Sequence, residues 1–121
     1  MRGGDQAKLN AGFEAALKSW QEAEKEYRAA IGDNYGEGHP QVARFIELQA
    51  QALLKLDRQK EAAARMAEWR DDYLESFPPD HPWAADGLTL SAKLVEKTNK
   101  DEAAEFMKQA KTYRDLYDRQ E

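Results

Sequence analysis

The sequence contains no cysteine. That single absence removes disulfide frameworks, thiolate metal sites and cysteine nucleophiles together, and it fits a reducing compartment. No run approaches the roughly 18 apolar residues that a membrane span needs, and the opening Met1-Arg2-Gly3-Gly4-Asp5 has no apolar core. The chain is therefore read as cytoplasmic. There is no clustered basic face either: Lys and Arg are interspersed with Glu and Asp along every segment, and the net charge is −5. Neither nucleic acid nor a membrane surface is an expected partner. Alternating apolar and polar runs bounded by Asn-Gly or Asp-Gly are missing, which argues against sheet structure. No Gly-rich phosphate loop follows a strand, and no Ser or Thr has a His in a workable motif. No cofactor and no enzymatic activity are expected.

What is present is an internal repeat. The dipeptide His39-Pro40 returns as His81-Pro82, 42 residues on. A turn-rich stretch precedes each, Gly32 to Gly38 in one case and Phe77-Pro78-Pro79-Asp80 in the other, and an apolar helix-patterned run follows. Downstream, Lys60-Glu61-Ala62-Ala63 is echoed by Asp101-Glu102-Ala103-Ala104 at an offset of 41. Self-similarity at this period signals stacked helical hairpins. At 121 residues the chain is one domain's worth, enough to bury roughly two-thirds of its unfolded surface.

The apolar spacing predicts five helices and an all-α fold. Leu9, Phe13, Leu17, Trp20, Ala23, Tyr27 and Ile31 mark one face of a helix over about 9–31, with the turn before Gly12 frayed. A hairpin over about 40–76 follows, its first helix opened by Pro40 and carrying Val42, Phe45, Ile46, Gln49, Ala50 and Leu53. Asp57-Arg58-Gln59 is the tight polar break, and the second helix turns in Ala62, Met66, Trp69 and Tyr73 until Pro78-Pro79 stops it. A second hairpin over about 82–117 repeats the plan, with Leu88, Leu94 and Val95, a break at Lys97-Thr98-Asn99, then Ala103, Phe106, Ala110 and Tyr113. Ala50 and Ala92 facing Ala62-Ala63 and Ala103-Ala104 allow close helix crossings, so Ala50→Leu should overpack.

These residues resemble the long tetratricopeptide repeats of the kinesin light chain type over about Ala11 to Tyr117. The shared features are the His-Pro start, the mid-helix Ala, the short polar turn and the Glu-Ala opening of the second helix. The resemblance implies a right-handed solenoid whose first helices line a concave groove for a partner protein or peptide. Carried over by position, the groove would comprise Arg44, Glu47, Gln51 and Lys55 from one hairpin and Asp86, Thr89, Lys93 and Lys97 from the next. Helical arithmetic agrees, since steps of three or four put each set on one stripe opposite the apolar face. On that stripe Glu47→Ala is expected to be neutral for folding. The family's Leu-Asn-Asn-Leu-Ala is replaced by Ile46-Glu47-Leu48-Gln49-Ala50 and Leu88-Thr89-Leu90-Ser91-Ala92, so the asparagine amides that grip a peptide backbone are gone.

Other constellations reduce to structure. His39 and His81 at equivalent repeat positions would sit on the order of 10 Å apart, too far to share a metal ion. Glu22, Glu24 and Glu26, or Asp71-Asp72, read as solvated faces beside Lys and Arg. Trp20 and Trp69 read as core, whereas Trp83 at a helix start is a candidate edge contact for a partner. The first helix lacks the hairpin half that would cover it, which makes Phe13 and Trp20 candidate edge contacts and self-association an alternative. In that alternative the chain is a self-associating or engineered helical scaffold without a ligand.

Overall fold

The apolar periodicities close into helices where the caps permit. The computed structural model describes residues 2–31, 40–77 and 81–119, with side chains for 5–30, 40–75, 77 and 81–119. Its elements are α1 (Arg2–Ile31), α2 (Pro40–Lys55), α3 (Gln59–Asp72) continued by a 3-10 turn over Leu74–Ser76, α4 (Pro82–Val95) and α5 (Lys100–Asp118). Among the described residues there is no strand. The Gly32 to Gly38 stop, His39 and Pro78-Pro79-Asp80 lie outside the described residues, as does the side chain of Ile31.

α1 begins at Arg2 and runs through Gly12, so the expected frayed turn is instead helical. A mid-helix glycine costs only about 1 kcal/mol, and the flanking Ala, Lys and Glu residues are good helix formers. The α2–α3 break is a Schellman arrangement in which the Arg58 N–H donates to the Leu53 carbonyl at 2.9 Å and the Asp57 N–H to Leu54 at 3.1 Å. Asp57 takes the left-handed conformation, φ 59°, that such a turn requires. Pro82 occupies the first turn of α4, where the Nδ1 of His81 accepts from the Trp83 N–H at 3.1 Å. Asn99 caps α5, its side-chain oxygen accepting from the Glu102 N–H at 3.1 Å.

Each helix packs on the next along the chain, and α2 also meets α4 over a shorter stretch. Leu17, Ile46, Leu53, Met66, Trp69, Tyr73, Phe77, Leu88 and Leu94 share one continuous buried cluster. Ala50 and Ala62 are completely buried, as the close crossing demands, while Ala104 faces outward. At the α3–α4 crossing the Trp69 indole lies directly over Gly87. α1 contributes Leu17 to this core and half-buries Trp20 and Tyr27, whose rings stand 6.0 and 5.8 Å from Phe45.

Candidate functional site

α2, α4 and α5 converge on a groove of about 320 Å³ lined by Gln51, Leu54, Lys55, Asp86, Thr89, Leu90, Lys93 and Arg114. Five residues expected on the groove stripe are thus brought together: Gln51, Lys55, Asp86, Thr89 and Lys93. Arg114 completes the wall and was missed by pattern reading. It reaches back from α5 so that its Nη2 donates to the Thr89 Oγ1 at 3.0 Å, while that hydroxyl donates to the Ala85 carbonyl at 2.8 Å. Leu54 and Leu90 supply apolar surface between the charges. Lys55, Lys93 and Arg114 face one carboxylate, Asp86, in a chain whose overall charge is −5.

Three expected members, Arg44, Glu47 and Lys97, do not line this groove. Lys97 falls past the end of α4 and lines a separate hollow of about 730 Å³ with Arg58, Lys60 and Thr98, where the α2–α3 turn meets α4. Glu47 is not on the open stripe at all: it is 1% exposed. One turn from the completely buried Ala43 and Ala50, it lies on the flank of the covered face of α2, which packs against α1, α3 and α4.

Glu47 pairs there with the Arg44 guanidinium, one turn earlier on α2. The same guanidinium lies 3.5 Å from the Asp86 carboxylate on the groove wall and sits over the Trp83 ring at 5.3 Å from its centroid. Glu47 Oε1 has no hydrogen-bond partner among the described residues. Burial pushes the Glu47 carboxyl up to about 7, against the lowering pull of Arg44. Trp83 is half-buried, with Arg44 over its ring and the His81 ring tilted against it at 5.1 Å, so part of its surface is already engaged within the chain.

A second polar cluster ties α1, α2 and α3 together. Glu24, read from sequence as solvated, is only 14% exposed and accepts from Gln49 Nε2 at 2.7 Å, Arg65 Nη2 at 2.6 Å and Arg28 Nε at 2.8 Å. Arg28 continues to the Tyr73 hydroxyl at 2.8 Å. Gln49 turns inward toward α1. The expected edge contacts of α1, Phe13 and Trp20, are half-buried, and Leu9 on the same helix is 55% exposed. Outward positions of α1 such as Glu14, Lys18, Glu22, Lys25 and Glu26 are charged and exposed.

Among the described residues no group of three His, Asp or Glu side chains is placed to hold a metal ion, and no helix is long and apolar enough to cross a membrane. No protein-family model matches the chain, and neither a curated protein nor a solved structure matches it. Among the described residues the structure is all-helical, with a cation-lined groove where α2, α4 and α5 meet.

Proposed function

We propose that the chain is a non-enzymatic interaction module, a short tetratricopeptide-like solenoid that holds an acidic peptide segment of a partner protein in the α2–α4–α5 groove. The observation that carries this reading is the charge of the groove. Lys55, Lys93 and Arg114 surround a single carboxylate there, while the molecule as a whole is acidic. Complementary charge selects partners and speeds encounter. Leu54 and Leu90 would take an apolar side chain between two acidic ones. The sequential packing of α1 on α2 through α4 on α5 supports the repeat architecture. The absence of the peptide-gripping asparagines points to recognition by side-chain charge in place of backbone clamping.

Fluorescence anisotropy with labelled hexaglutamate, and hexalysine as control, tests the reading. Binding of hexaglutamate alone is expected, weakening with salt and abolished by the pair Lys55→Glu and Lys93→Glu. Equal binding of both peptides, or of neither, would overturn it. Self-association through α1 is the second reading and rests on the exposed Leu9 beside half-buried Phe13. Light scattering over a concentration range, with Phe13→Glu as control, decides that point.

A further inference from the structure

Glu47, Gln51 and Lys55 follow one another at four-residue steps along α2, so the buried carboxylate lies one helical turn from the groove lining. The charged groups that face it are Arg44 from α2 and Asp86 from α4. Asp86 is shared between this cluster and the groove, whose remaining charges are Lys55, Lys93 and Arg114 from α5. His81 meets the Trp83 ring, on whose face Arg44 lies. Glu47 is thus a carboxylate withdrawn from water, with one oxygen held by Arg44 and the other, Oε1, without a hydrogen-bond partner among the described residues.

This arrangement bears on ligand binding, and the inference rests on the acidic-peptide reading of the groove. We infer that Glu47 is a proton-operated regulator of the groove, taking up a proton as an acidic peptide binds and weakening that binding when it is ionised. A buried carboxylate gains little from solvent, so its ionisation is set by the charges nearest to it. Anionic side chains seated against Lys55, Lys93 and Arg114 add negative potential beside Glu47 and favour its neutral form. Reciprocity then requires the neutral form to bind the peptide more tightly by the same factor. Once Glu47 is neutral, the carboxylate that still faces Arg44 across the α2–α4 junction is Asp86 on the groove wall, and the site as a whole is one unit more positive. The position of its titration, raised by burial to about 7, puts this control in the neutral range.

The test uses the full chain with labelled hexaglutamate, whose side chains stay ionised throughout the range examined. Affinity is measured at pH 6 and pH 8 at fixed ionic strength, and calorimetry at pH 7 in two buffers of different ionisation heat counts protons. Affinity tighter by about fivefold at pH 6, the size expected of one charge at groove distance, and net proton uptake on binding are expected. Glu47→Gln should bind with an affinity independent of pH and without proton uptake, and His81→Asn should leave both effects in place. Glu47→Met, of similar length, must give the same flattening if the amide variant does not fold. Binding that is equal at both pH values with no proton uptake, or a pH effect lost in His81→Asn and kept in Glu47→Gln, would overturn the inference alone. Hexaglutamate that fails to bind at either pH would overturn the groove reading and this inference with it.

Discussion

A Cβ added to Gly87 would lie 2.1 Å from Cζ2 of Trp69, so the indole of α3 occupies the space that any other residue of α4 would need at that position. Gly87 is buried, and Trp69, 1% exposed, stands 5.9 Å from Phe77. Gly87→Ala is therefore expected to destabilise the fold by about 3 kcal/mol, at the upper end of overpacking costs. Denaturant unfolding followed by fluorescence measures it. Adding Trp69→Phe should return part of the loss, and a double mutant as unstable as the sum of the singles would show that the two residues do not meet.

Much of this architecture is legible in the apolar spacing. Val42, Ile46, Leu53 and Met66 fall in the core where a 3.6-residue period puts them, and Pro40 and Pro82 open the helices as their missing N–H predicts. Gly87 is not legible in this way, because a glycine inside a helix reads only as a weak position until the facing indole is known. Glu47 fails for a different reason. A helical wheel describes a helix with one covered face, whereas α2 packs against α1, α3 and α4. Arg114 was missed because its place on the groove depends on how α5 crosses α4, which no periodicity within α5 specifies. Lys97 sits one turn beyond Lys93, and the stripe argument holds only as far as the helix, which ends at Val95.

Glu47 also governs stability against pH. Its carboxyl titrates at about 7 in the fold against 4.5 when unperturbed, so the folded chain binds this proton more tightly than the unfolded one. The associated stability is fully present below about pH 4.5 and is lost as pH rises through 7. The difference corresponds to roughly 3 kcal/mol. Glu47→Gln should remove this slope, so the variant gains on the parent between pH 5 and pH 8 in urea titrations. Parallel curves for the two proteins would show that Glu47 is ionised throughout. The expectation from sequence that Glu47→Ala is neutral is replaced by one that depends on pH.

Asp57 holds φ at 59° to let the Arg58 and Asp57 amides close the end of α2. Aspartate tolerates that conformation at a cost that glycine does not incur. Asp57→Gly should raise stability by about 0.5–1 kcal/mol, less the entropy that glycine adds to the unfolded chain. A thermal melt with a higher midpoint and unchanged helical circular dichroism is expected, and a lower midpoint would mean the aspartate side chain contributes more than its backbone strain costs.

Glu24 is the acceptor on which three helices agree, and its removal should be felt unequally by them. Arg28 keeps the Tyr73 hydroxyl and Arg65 keeps Glu68 at 2.5 Å, so both guanidinium groups retain partners when Glu24 becomes alanine. Gln49 does not: it is 3% exposed, and its remaining acceptor is the Trp20 carbonyl at 3.4 Å, a marginal distance. Stranding a buried donor costs about 1–3 kcal/mol, more than the net contribution of the bond itself. Glu24→Ala should therefore destabilise by about 2 kcal/mol, and Glu24→Gln, which preserves an acceptor for Gln49, by less. Pairing Glu24→Ala with Gln49→Leu removes the stranded amide. The double mutant should then recover most of the loss in a denaturation cycle. Failure to recover would place the cost in the Arg65 link between α1 and α3, and Arg65→Met in the same cycle would carry it.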